Sequence, residues 1–426
     1  MSNEKNKLIS SSLSATRLRR KSQDCKTFEV KIDVSKCSKK TINELHRIFL
    51  EAKWLYNHIL SQEDVFDINT TLLGKVIVLN KDRCAEEREL TTIGSQIKQD
   101  IHKGICSSIR GLSVIKKKGM RVGRLKFKSN IDSVNLKQYG TTYRIKSKNR
   151  VHIQGIKADL FVRGLHQIKD EYELANAKLV RRGDDFFLMI TCYADKPLVP
   201  LFLNNRSIGI DFGIKTDLTF SDGTKMSVKL PVSRRIRKSH KSLSRKKKCS
   251  KNRFKAKKKL QKAYCKQTNI KNEIRNKTVN CLKENFGFVA VQNENIKGWH
   301  SGLFGKQIQQ SAIGGIIRGI KNLPHTQIVD RFFPSTKQCP ICKTKNEIGL
   351  SERIYACPVC GYTNDRDVHS AKNVENEAIA NYNEKTIPTE RRNFKPAEKF
   401  TPAFLSLTQN CKWISVKQEA HDFSRG

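Results

Sequence analysis

Four cysteines in the C-terminal half of the chain have the spacing of a metal site. Cys339 and Cys342 form one Cys-x2-Cys pair, Cys357 and Cys360 form a second, and 14 residues separate the two pairs. Two such pairs supply the four thiolates of a tetrahedral zinc ion, and a site with four sulfur ligands keeps no coordination position open for catalysis. The spacing predicts one structural Zn²⁺ in a zinc ribbon, and it favours zinc over an iron–sulfur cluster.

Three carboxylates stand where predicted secondary-structure elements end or begin. Asp211 ends an apolar strand at residues 207–212. Glu294 follows a second apolar strand at 286–291, and Asp367 opens the last predicted helix. Acids in such positions can converge on one edge of a sheet, where nucleases hold two Mg²⁺ ions roughly 3.5–4 Å apart to activate a water and stabilise the leaving oxygen of a phosphodiester. On spacing alone, a turn or capping role for each acid stays open.

The most strongly charged segment of the chain lies between the first two of these acids. Residues 234–262 contain 16 Lys or Arg residues out of 29 and no acidic residue. Lys, Arg, Ala and Leu favour helix, so the segment predicts long basic helix that contacts phosphates; the alternative is a solvated helix face. Aromatic residues suited to base stacking are sparse, with Phe254 and Tyr264, so we expect contacts to the backbone rather than to bases. The candidate nucleic-acid-binding residues are Arg234, Arg235, Arg237, Lys238, Arg245, Lys246, Lys247, Arg253, Lys257 and Lys258.

Charge and composition limit the class of protein. Across 426 residues, 83 Lys and Arg residues stand against 40 Asp and Glu residues, which gives a formal charge of +43. Charge on this scale predicts a polyanionic partner, with nucleic acid favoured over an anionic membrane surface. No apolar stretch reaches the roughly 18 residues of a membrane span, and the polar first 25 residues lack the apolar block of a secretory signal. The odd number of cysteines, 13, indicates a reducing cytosol.

The elements that must position these residues fall into two parts, with a boundary at Pro197 and Pro200. Residues 27–34 alternate apolar and polar, which predicts a half-buried strand, and helical spacing begins at about Lys39. Short β-like runs then follow from about residue 121 to 194 and suggest a small barrel or sandwich. Beyond the boundary, apolar strands alternate with helical segments.

The order of these motifs resembles that of the TnpB proteins, which are transposon-encoded RNA-guided nucleases related to miniature type V CRISPR effectors and to Fanzor proteins. The resemblance rests on GIDFG at 209–213, VQNENIKG at 291–298, the double Cys-x2-Cys and DRDVHSAKN at 365–373. It covers residues 205–382. The N-terminal half matches in its plan, including GRLKFK at 123–128.

The resemblance implies an α+β multidomain protein with a split RuvC nuclease domain of RNase H-like fold, an oligonucleotide-binding-like wedge β-barrel with a helical recognition insertion, and a zinc ribbon. Asp211, Glu294 and Asp367 correspond to the catalytic, Mg²⁺-binding acids, and Asp365 to a supporting or helix-capping acid. The sequence departs from the family pattern at Lys343, where glycine is frequent, and at His369, where many members have asparagine.

The predicted segments are a basic leader (1–26), the first wedge strand (27–38), the helical recognition insertion (39–118), the rest of the wedge barrel (119–198), the first part of the RuvC domain (199–333) with basic helices at 234–285, the zinc ribbon (334–364), the second part of the RuvC domain (365–385) and a flexible tail (386–426).

The function that the resemblance implies is Mg²⁺-dependent, RNA-guided DNA cleavage at a single RuvC site. The partners would be a guide RNA and a double-stranded DNA target bearing a short adjacent motif, with one protein monomer per guide RNA and no membrane. The location would be the cytoplasm of a prokaryotic cell, at the nucleoid. Three alternatives stay open: a nuclease-inactive RNA-guided DNA-binding repressor, a CRISPR effector with array-derived guides, and a strand-transferring transposase.

Overall fold

A computed structural model of the chain describes residues 2–80, 84–195, 205–349, 352–385 and 394–396. The chain divides into two compact units, Met1–Pro197 and Leu198–Gly426. The division falls in the proline-bearing segment where the sequence predicts a boundary. Within the described ranges, no helix combines the length and apolar character needed to cross a bilayer.

The first unit is built on a seven-stranded antiparallel sheet with the strand order β4-β8-β9-β1-β7-β6-β5. In chain order the unit contains α1 (Ser2–Ser22), β1 (Gln23–Ile32), α2 (Lys39–Leu60), β2 (Lys75–Leu79), β3 (Ala85–Glu89), α3 (Ser95–Lys117), β4 (Ser133–Leu136), β5 (Tyr143–Ser147), β6 (Arg150–Ile153), β7 (Leu160–Arg163), β8 (Glu173–Arg182) and β9 (Asp185–Asp195).

Period-2 alternation explains the long strands of this sheet. Phe186 and Leu188 of β9 are fully buried, and they pair in register with the buried Ile32 and Val30 of β1. Helix α2 places an apolar stripe, which includes the fully buried Leu45, in the same core. One side of the sheet therefore faces a core shared with the helices that interrupt the strands, as predicted for a helical block inserted after the first strand.

The N-terminal segment differs from the predicted leader. Residues 2–22 form helix α1, and β1 begins at Gln23, four residues before the predicted strand. Arg19 and Arg20 at the end of α1 pair with Glu173 of β8 at 2.9 Å and 2.7 Å, and Arg20 lies 4.5 Å from the ring centre of Tyr193. These ion pairs hold the basic helix on the sheet, and backbone pairing with β9 extends β1 through polar residues that carry no alternation signal.

The region between β1 and β4 is helical, as expected, but it also contains a hairpin that the periodicity did not indicate. Strands β2 and β3 pair with each other between α2 and α3. Glu51 on α2 is fully buried and accepts bonds from the backbone N–H groups of Thr91, Thr92 and Ile93, just before α3 begins. This carboxylate orders the segment that leads from the hairpin into α3.

The second unit is a mixed sheet covered by helices on both faces. In chain order it contains β10 (Arg206–Phe212), β11 (Leu218–Phe220), β12 (Lys225–Met226), α4 (Arg234–Ser244), α5 (Lys251–Asn285), β13 (Phe288–Gln292), α6 (Ile296–Ser301), α7 (Gly305–Gln310), α8 (Ile313–Lys321), β14 (Thr326–Val329), β15 (Ile354–Ala356), β16 (Thr363–Asp365), α9 (Arg366–Lys385) and β17 (Lys395–Pro396). The strand order is β12-β11-β10-β13-β14. Strands β10, β11 and β12 are antiparallel, whereas β13 and β14 run parallel to β10.

The interior strand β13 is apolar from Phe288 to Val291, and burial on both faces explains this pattern. Phe288 and Ala290 pack in the cluster that includes α9, whereas Val289 and Val291 pack in the cluster that includes α5 and α8. A strand covered on both faces loses the polar alternation of a half-exposed strand.

Helix α9 lies unusually close to β10 at Gly209, the first residue of the GIDFG motif. A Cβ atom at this position would stand 2.1 Å from the carbonyl oxygen of Ala371 and 2.8 Å from Cβ of Glu375. Only glycine allows this approach, which brings the start of α9 toward the end of β10.

The predicted long basic helix is interrupted. It forms α4 and α5, separated at residues 245–250, where Cys249 has a φ of +64° and the Ser250 hydroxyl accepts the N–H of Arg253 at 3.1 Å to cap α5. A small apolar cluster that includes Ile236, Leu260 and Ala263 joins the two helices. Helix propensity identified the segment, but it gave no sign of the turn.

Of the predicted flexible tail, residues 394–396 lie in the described ranges, and they contact the second unit. Strand β17 pairs in parallel with the beginning of β10, and the ring of Phe394 lies 4.4 Å from that of Phe288. This short stretch therefore belongs to the sheet and its core. The rest of the predicted tail lies outside the described residues.

Candidate active site and zinc centre

The carboxyl ends of two adjacent parallel strands carry the first two predicted acids. Ile210 of β10 pairs with Val291 of β13, so Asp211 and the segment leading to Glu294 leave the sheet at the same edge. Asp367 is the second residue of α9, whose N-terminus lies at that edge. The fold therefore brings three acids together that stand up to 156 residues apart in the sequence.

The pKa of Asp211 reflects the proximity of the other two acids. Burial raises the pKa of the Asp211 carboxyl to about 7; a hydrogen bond from Ser370 opposes the rise, and the negative charges of Asp367 and Glu294 add to it. A buried carboxyl whose pKa is raised further by neighbouring carboxylates is typical of metal-binding and catalytic clusters. The carboxylate oxygens of the three acids do not all lie within 4.8 Å of one another. Among the described residues, the four cysteines are the one group of possible metal ligands whose ligand atoms lie that close together.

Asp211 is held by a chain of buried polar side chains that sequence patterns did not single out. The Ser370 hydroxyl lies 2.9 Å from Oδ1 of Asp211 and 3.0 Å from the Ser335 hydroxyl. Ser335 donates to Oε1 of Gln292 at 3.0 Å. The one sequence signal for this hydrogen-bonded network is Gln292, a polar residue at the end of an otherwise apolar strand.

Glu294 lies in a positively charged environment. Burial raises its pKa, and the charges of Arg331 and Lys321 offset part of that rise. Lys321 at the end of α8 also donates to the side-chain oxygen of Asn293 at 2.7 Å. Two cations therefore stand near the second acid.

Asp365 is the acid that caps helix α9. Its Oδ1 atom accepts the backbone N–H groups of Asp367 at 3.1 Å and Val368 at 3.2 Å, and its Oδ2 atom pairs with Lys225 at 2.8 Å. Although burial works to raise its pKa, the contact with Lys225 and these backbone bonds hold the pKa below its usual value. The cap fixes the backbone of Asp367 and ties α9 to β12.

The four predicted zinc ligands converge. All four sulfur atoms lie within 4.8 Å of one another, with Cys339 and Cys360 at 3.5 Å and Cys342 and Cys357 at 3.5 Å. Backbone N–H groups directed at the sulfur lower the pKa of Cys357 to about 6, against the effect of burial. This donor set fits one tetrahedral Zn²⁺.

The two cysteine pairs make the same turn with different residues. The N–H of Lys343 bonds to the carbonyl of Cys339 at 3.1 Å, and the N–H of Gly361 bonds to that of Cys357 at 3.0 Å. Both residues after the pair are left-handed, with φ of +61° at Lys343 and +71° at Gly361. The departure at Lys343 therefore keeps the turn and places a lysine in a conformation that favours glycine.

His369, the second departure, packs between the ribbon and α9. It is fully buried, its ring stacks on Tyr355 with centres 3.7 Å apart, and its Nε2 atom lies 3.1 Å from the side-chain nitrogen of Asn373. Burial lowers its pKa to about 4. The contacts join the ribbon strand β15 to α9, and they give the ring a packing role.

The basic residues of α4 and α5 are mostly at the surface. Eight of the ten candidates are exposed, and Arg253 and Lys258 are half-buried. Arg253 donates to the carbonyls of Leu243 and Lys246 at 2.9 Å and 3.1 Å, so it closes the end of α4. Lys258 lies over the ring of Phe254. The structure thus separates exposed phosphate-binding candidates from a residue that supports the turn.

Two family models match parts of the second half of the chain. A family model described as "Probable transposase", OrfB of IS605, matches residues 192–300, and a "Cas12f1-like, TNB domain" model matches residues 324–374. The two matches include the strands, acids and cysteines described above. They support the resemblance to TnpB-like proteins that the motifs indicate.

Sequence identity to individual relatives is low. A protein of Streptomyces pristinaespiralis named "Putative RNA-guided DNA endonuclease" is 26% identical over 203 residues, which is 45% of this chain. The chain spans about half the length of that curated relative, 50%. A cryo-EM structure of a Cas12f1-sgRNA-target DNA complex aligns with a TM-score of 0.46 and 13% identity, covering 83% of this chain and 99% of that one. A CRISPR-Cas12f ternary complex aligns with a TM-score of 0.28 and 14% identity over 79% of each chain.

Proposed function

We propose that the chain is an RNA-guided DNA endonuclease that hydrolyses phosphodiester bonds at one RuvC site. The observation that carries the proposal is the cluster of Asp211, Glu294 and Asp367, whose like charges act on one another at the carboxyl edge of β10 and β13. Three antiparallel strands extended by two parallel strands, with helices on both faces, support an RNase H-like sheet. The seven-stranded antiparallel sheet of the first unit supports an oligonucleotide-binding-like wedge.

The three acids fit Mg²⁺, and we propose that they hold two ions. Carboxylate oxygens are the hard ligands that this ion prefers, and a bound cation would offset both the burial and the repulsion that raise the pKa of Asp211. Bound Mg²⁺ would supply activation of a water and stabilisation of the leaving oxygen. Ser370 orients the Asp211 carboxylate, and the Asp365 cap fixes the start of α9. Lys321 and Arg331 would hold the phosphate against Glu294.

The proposed partners are a guide RNA, bound by one monomer, and a double-stranded DNA target with a short adjacent motif. The exposed cations of α4 and α5 and the net charge of +43 support phosphate binding, and the printed name of the Streptomyces relative supports guidance by RNA. The zinc ribbon would organise entry of the substrate. We place this activity at the nucleoid, in the cytoplasm of a prokaryotic cell.

A guide-dependent plasmid cleavage assay tests the proposal. The RNA that copurifies with the protein is sequenced, and a plasmid matched to it is incubated with protein, RNA and Mg²⁺. Asp211→Ala and Glu294→Ala should each slow cutting by at least about a thousandfold, because each removes a metal ligand, and RNA binding should be unchanged. Cutting by Asp211→Ala at the wild-type rate would contradict the assignment, and wild-type binding without cutting would indicate the repressor.

Asp365→Asn is the matched control for Asp367→Asn. The two acids are two residues apart at the start of α9, but we assign capping to Asp365 and metal binding to Asp367. Asp365→Asn keeps an oxygen that can cap, so it should retain cutting and lower the stability of the fold by roughly 1 kcal/mol or less. Asp367→Asn should abolish cutting. If Asp365→Asn abolished cutting and Asp367→Asn retained it, Asp365 would be the metal ligand and Asp367 would not.

Strand transfer is the second candidate function, because the family model that matches residues 192–300 is described as a transposase. The same acids could direct a DNA 3′-hydroxyl, rather than water, to the phosphate. Donor and target DNAs of different lengths distinguish the two reactions on a gel: joined product indicates strand transfer, and cut product alone indicates hydrolysis.

A further inference from the structure

The loop after β14 presents an aromatic ring to solvent beside the candidate active site. Phe332 is 85% exposed, more than any other described phenylalanine. It follows Arg331, whose charge acts on Glu294. Single exposed apolar side chains are common on protein surfaces, so the exposure alone indicates no ligand. The place of this ring next to a cluster of acids and cations is what points to a ligand that covers it.

The loop is held rigidly by Gln292. The side-chain nitrogen of this buried residue donates to the carbonyls of Asp330, Arg331 and Phe333 at 3.1, 3.2 and 2.9 Å. The N–H of Phe332 bonds to the side chain of Asp330 at 2.8 Å. The polar residue that ends β13 therefore fixes the loop that carries the ring, two residues before Glu294.

The charges around the ring favour an anionic ligand. The guanidinium of Arg331 lies 5.7 Å from the ring centre of Phe332, and Lys321 is the second cation that acts on Glu294. A flat apolar surface beside Arg331 suits a nucleotide, whose base stacks and whose phosphate pairs with the guanidinium, whereas the carboxylate of Asp330 is already bonded to the Phe332 N–H. In a duplex both faces of an internal base are already stacked, so a base that covers this ring has left the duplex.

We propose that Phe332 is a stacking platform for an unpaired base of the DNA strand being cut, with Arg331 on the phosphate of that nucleotide. The proposal rests on the proposed nuclease function. Stacking next to Glu294 would hold the strand while the neighbouring phosphodiester lies against the acids, so the loss of the ring should slow cutting of bound DNA.

The experiment uses the full chain with its copurified RNA and a guide-matched DNA. Phe332→Tyr keeps the ring, Phe332→Leu keeps apolar bulk without it, and Phe332→Ala removes both. For stacking, the same changes are made in the non-cutting Asp211→Ala protein, and 2-aminopurine is placed in turn along the target strands. We expect fluorescence quenching at one position in the wild-type and Tyr forms and its loss in the Leu and Ala forms. Cutting by Phe332→Leu and Phe332→Ala should slow roughly fivefold to a hundredfold.

Phe66→Leu, which removes an exposed ring from the first unit, is the control and should leave the local quenching unchanged. The melting temperature of the Phe332 variants should match the wild type, because the side chain is exposed. If the wild type cuts guide-matched DNA and the Leu form quenches and cuts like the Tyr form, the platform is excluded. If Phe332→Leu instead converts a dimer to a monomer, the ring is covered by a second copy of the chain and the proposal is wrong. Failure of the wild type to cut would instead contradict the proposed function.

Discussion

At the scale of single residues, the orientation of the Gln292 amide determines which groups donate and which accept in the hydrogen bonds that lead to Asp211. The Gln292 nitrogen donates to three backbone carbonyls, so its oxygen must face Ser335 and accept from it. Because the Ser335 hydroxyl donates its proton to Gln292, it can only accept a hydrogen bond from Ser370. The Ser370 proton then goes either to Ser335 or to Asp211, and an ionised Asp211 attracts it. The buried chain thus points a donor at the carboxylate whenever the carboxylate is charged.

This arrangement predicts the effect of Ser370→Ala. A hydrogen bond to a charged group contributes roughly 1.5–3 kcal/mol, so its loss should slow cutting roughly tenfold to a hundredfold and raise the Mg²⁺ concentration for half-maximal rate. Ser207→Ala is the control, because its buried hydroxyl donates from the same strand to Glu375 at 2.5 Å. It should lower the melting temperature and leave the Mg²⁺ dependence unchanged. Equal Mg²⁺ responses in the two variants would contradict the role of Ser370.

The cysteines stand out in the sequence by their type and spacing, whereas the catalytic assignment of the three acids came from the resemblance to the TnpB motifs and stays a prediction. Sequence reasoning did not locate Ser335 or Ser370, since a serine has the same appearance in a loop, a cap or a buried network. Their significance depends on which way the side chain points, and that depends on the close approach of α9 to β10 at Gly209. For the same reason, the sequence left Asp365 with two roles, and the cap geometry favours one of them.

At the scale of elements, the left-handed turn at Lys343 predicts a stabilising substitution. Lys343→Gly removes the strain of a side chain at a φ of +61° and should stabilise the zinc-loaded protein by roughly 0.5–1 kcal/mol, since glycine's extra freedom in the unfolded chain offsets part of the gain. Lys345→Gly is the control. Lys345 does not have a positive φ, so this substitution should be neutral or should lower the free energy of unfolding. Chemical denaturation with Zn²⁺ present measures both. Equal effects would show that the turn at Lys343 is unstrained.

The elements that the sequence predicted well are those whose pattern is local. Apolar runs gave β10 and β13, and helical spacing gave α2 and α3. The start of β1, the turn between α4 and α5 and the hairpin β2–β3 were missed, because backbone pairing and a left-handed Cys249 decide them rather than hydrophobic period. The polar helix α1 is stabilised by ion pairs to a strand about 150 residues away.

At the scale of the whole molecule, the cations of residues 234–262 should divide into two kinds. Lys246 and Lys247 are exposed between the basic helices, whereas Arg253 closes the end of α4. Replacing both lysines with Gln should weaken guide-RNA binding and reduce the slope of log K against log salt by roughly 1.4–1.8. Arg253→Gln should mainly lower the melting temperature. An unchanged salt slope in the double-lysine variant would show that these side chains face solvent in the complex.

The full charge of +43 predicts that RNA contributes to the stability of the fold. Of this charge, 16 units lie in residues 234–262, where a small apolar cluster with three buried residues joins α4 to α5, so repulsion there has little core to oppose it. Guide RNA should therefore raise the melting temperature of the protein, and the rise should shrink as salt increases, since both repulsion and phosphate binding are screened. Thermal melts with the copurified RNA, with an unrelated RNA of equal length and without RNA measure this effect. A melting temperature that is the same in all three would mean that the fold tolerates its charge unaided, and that the basic helices serve recognition alone.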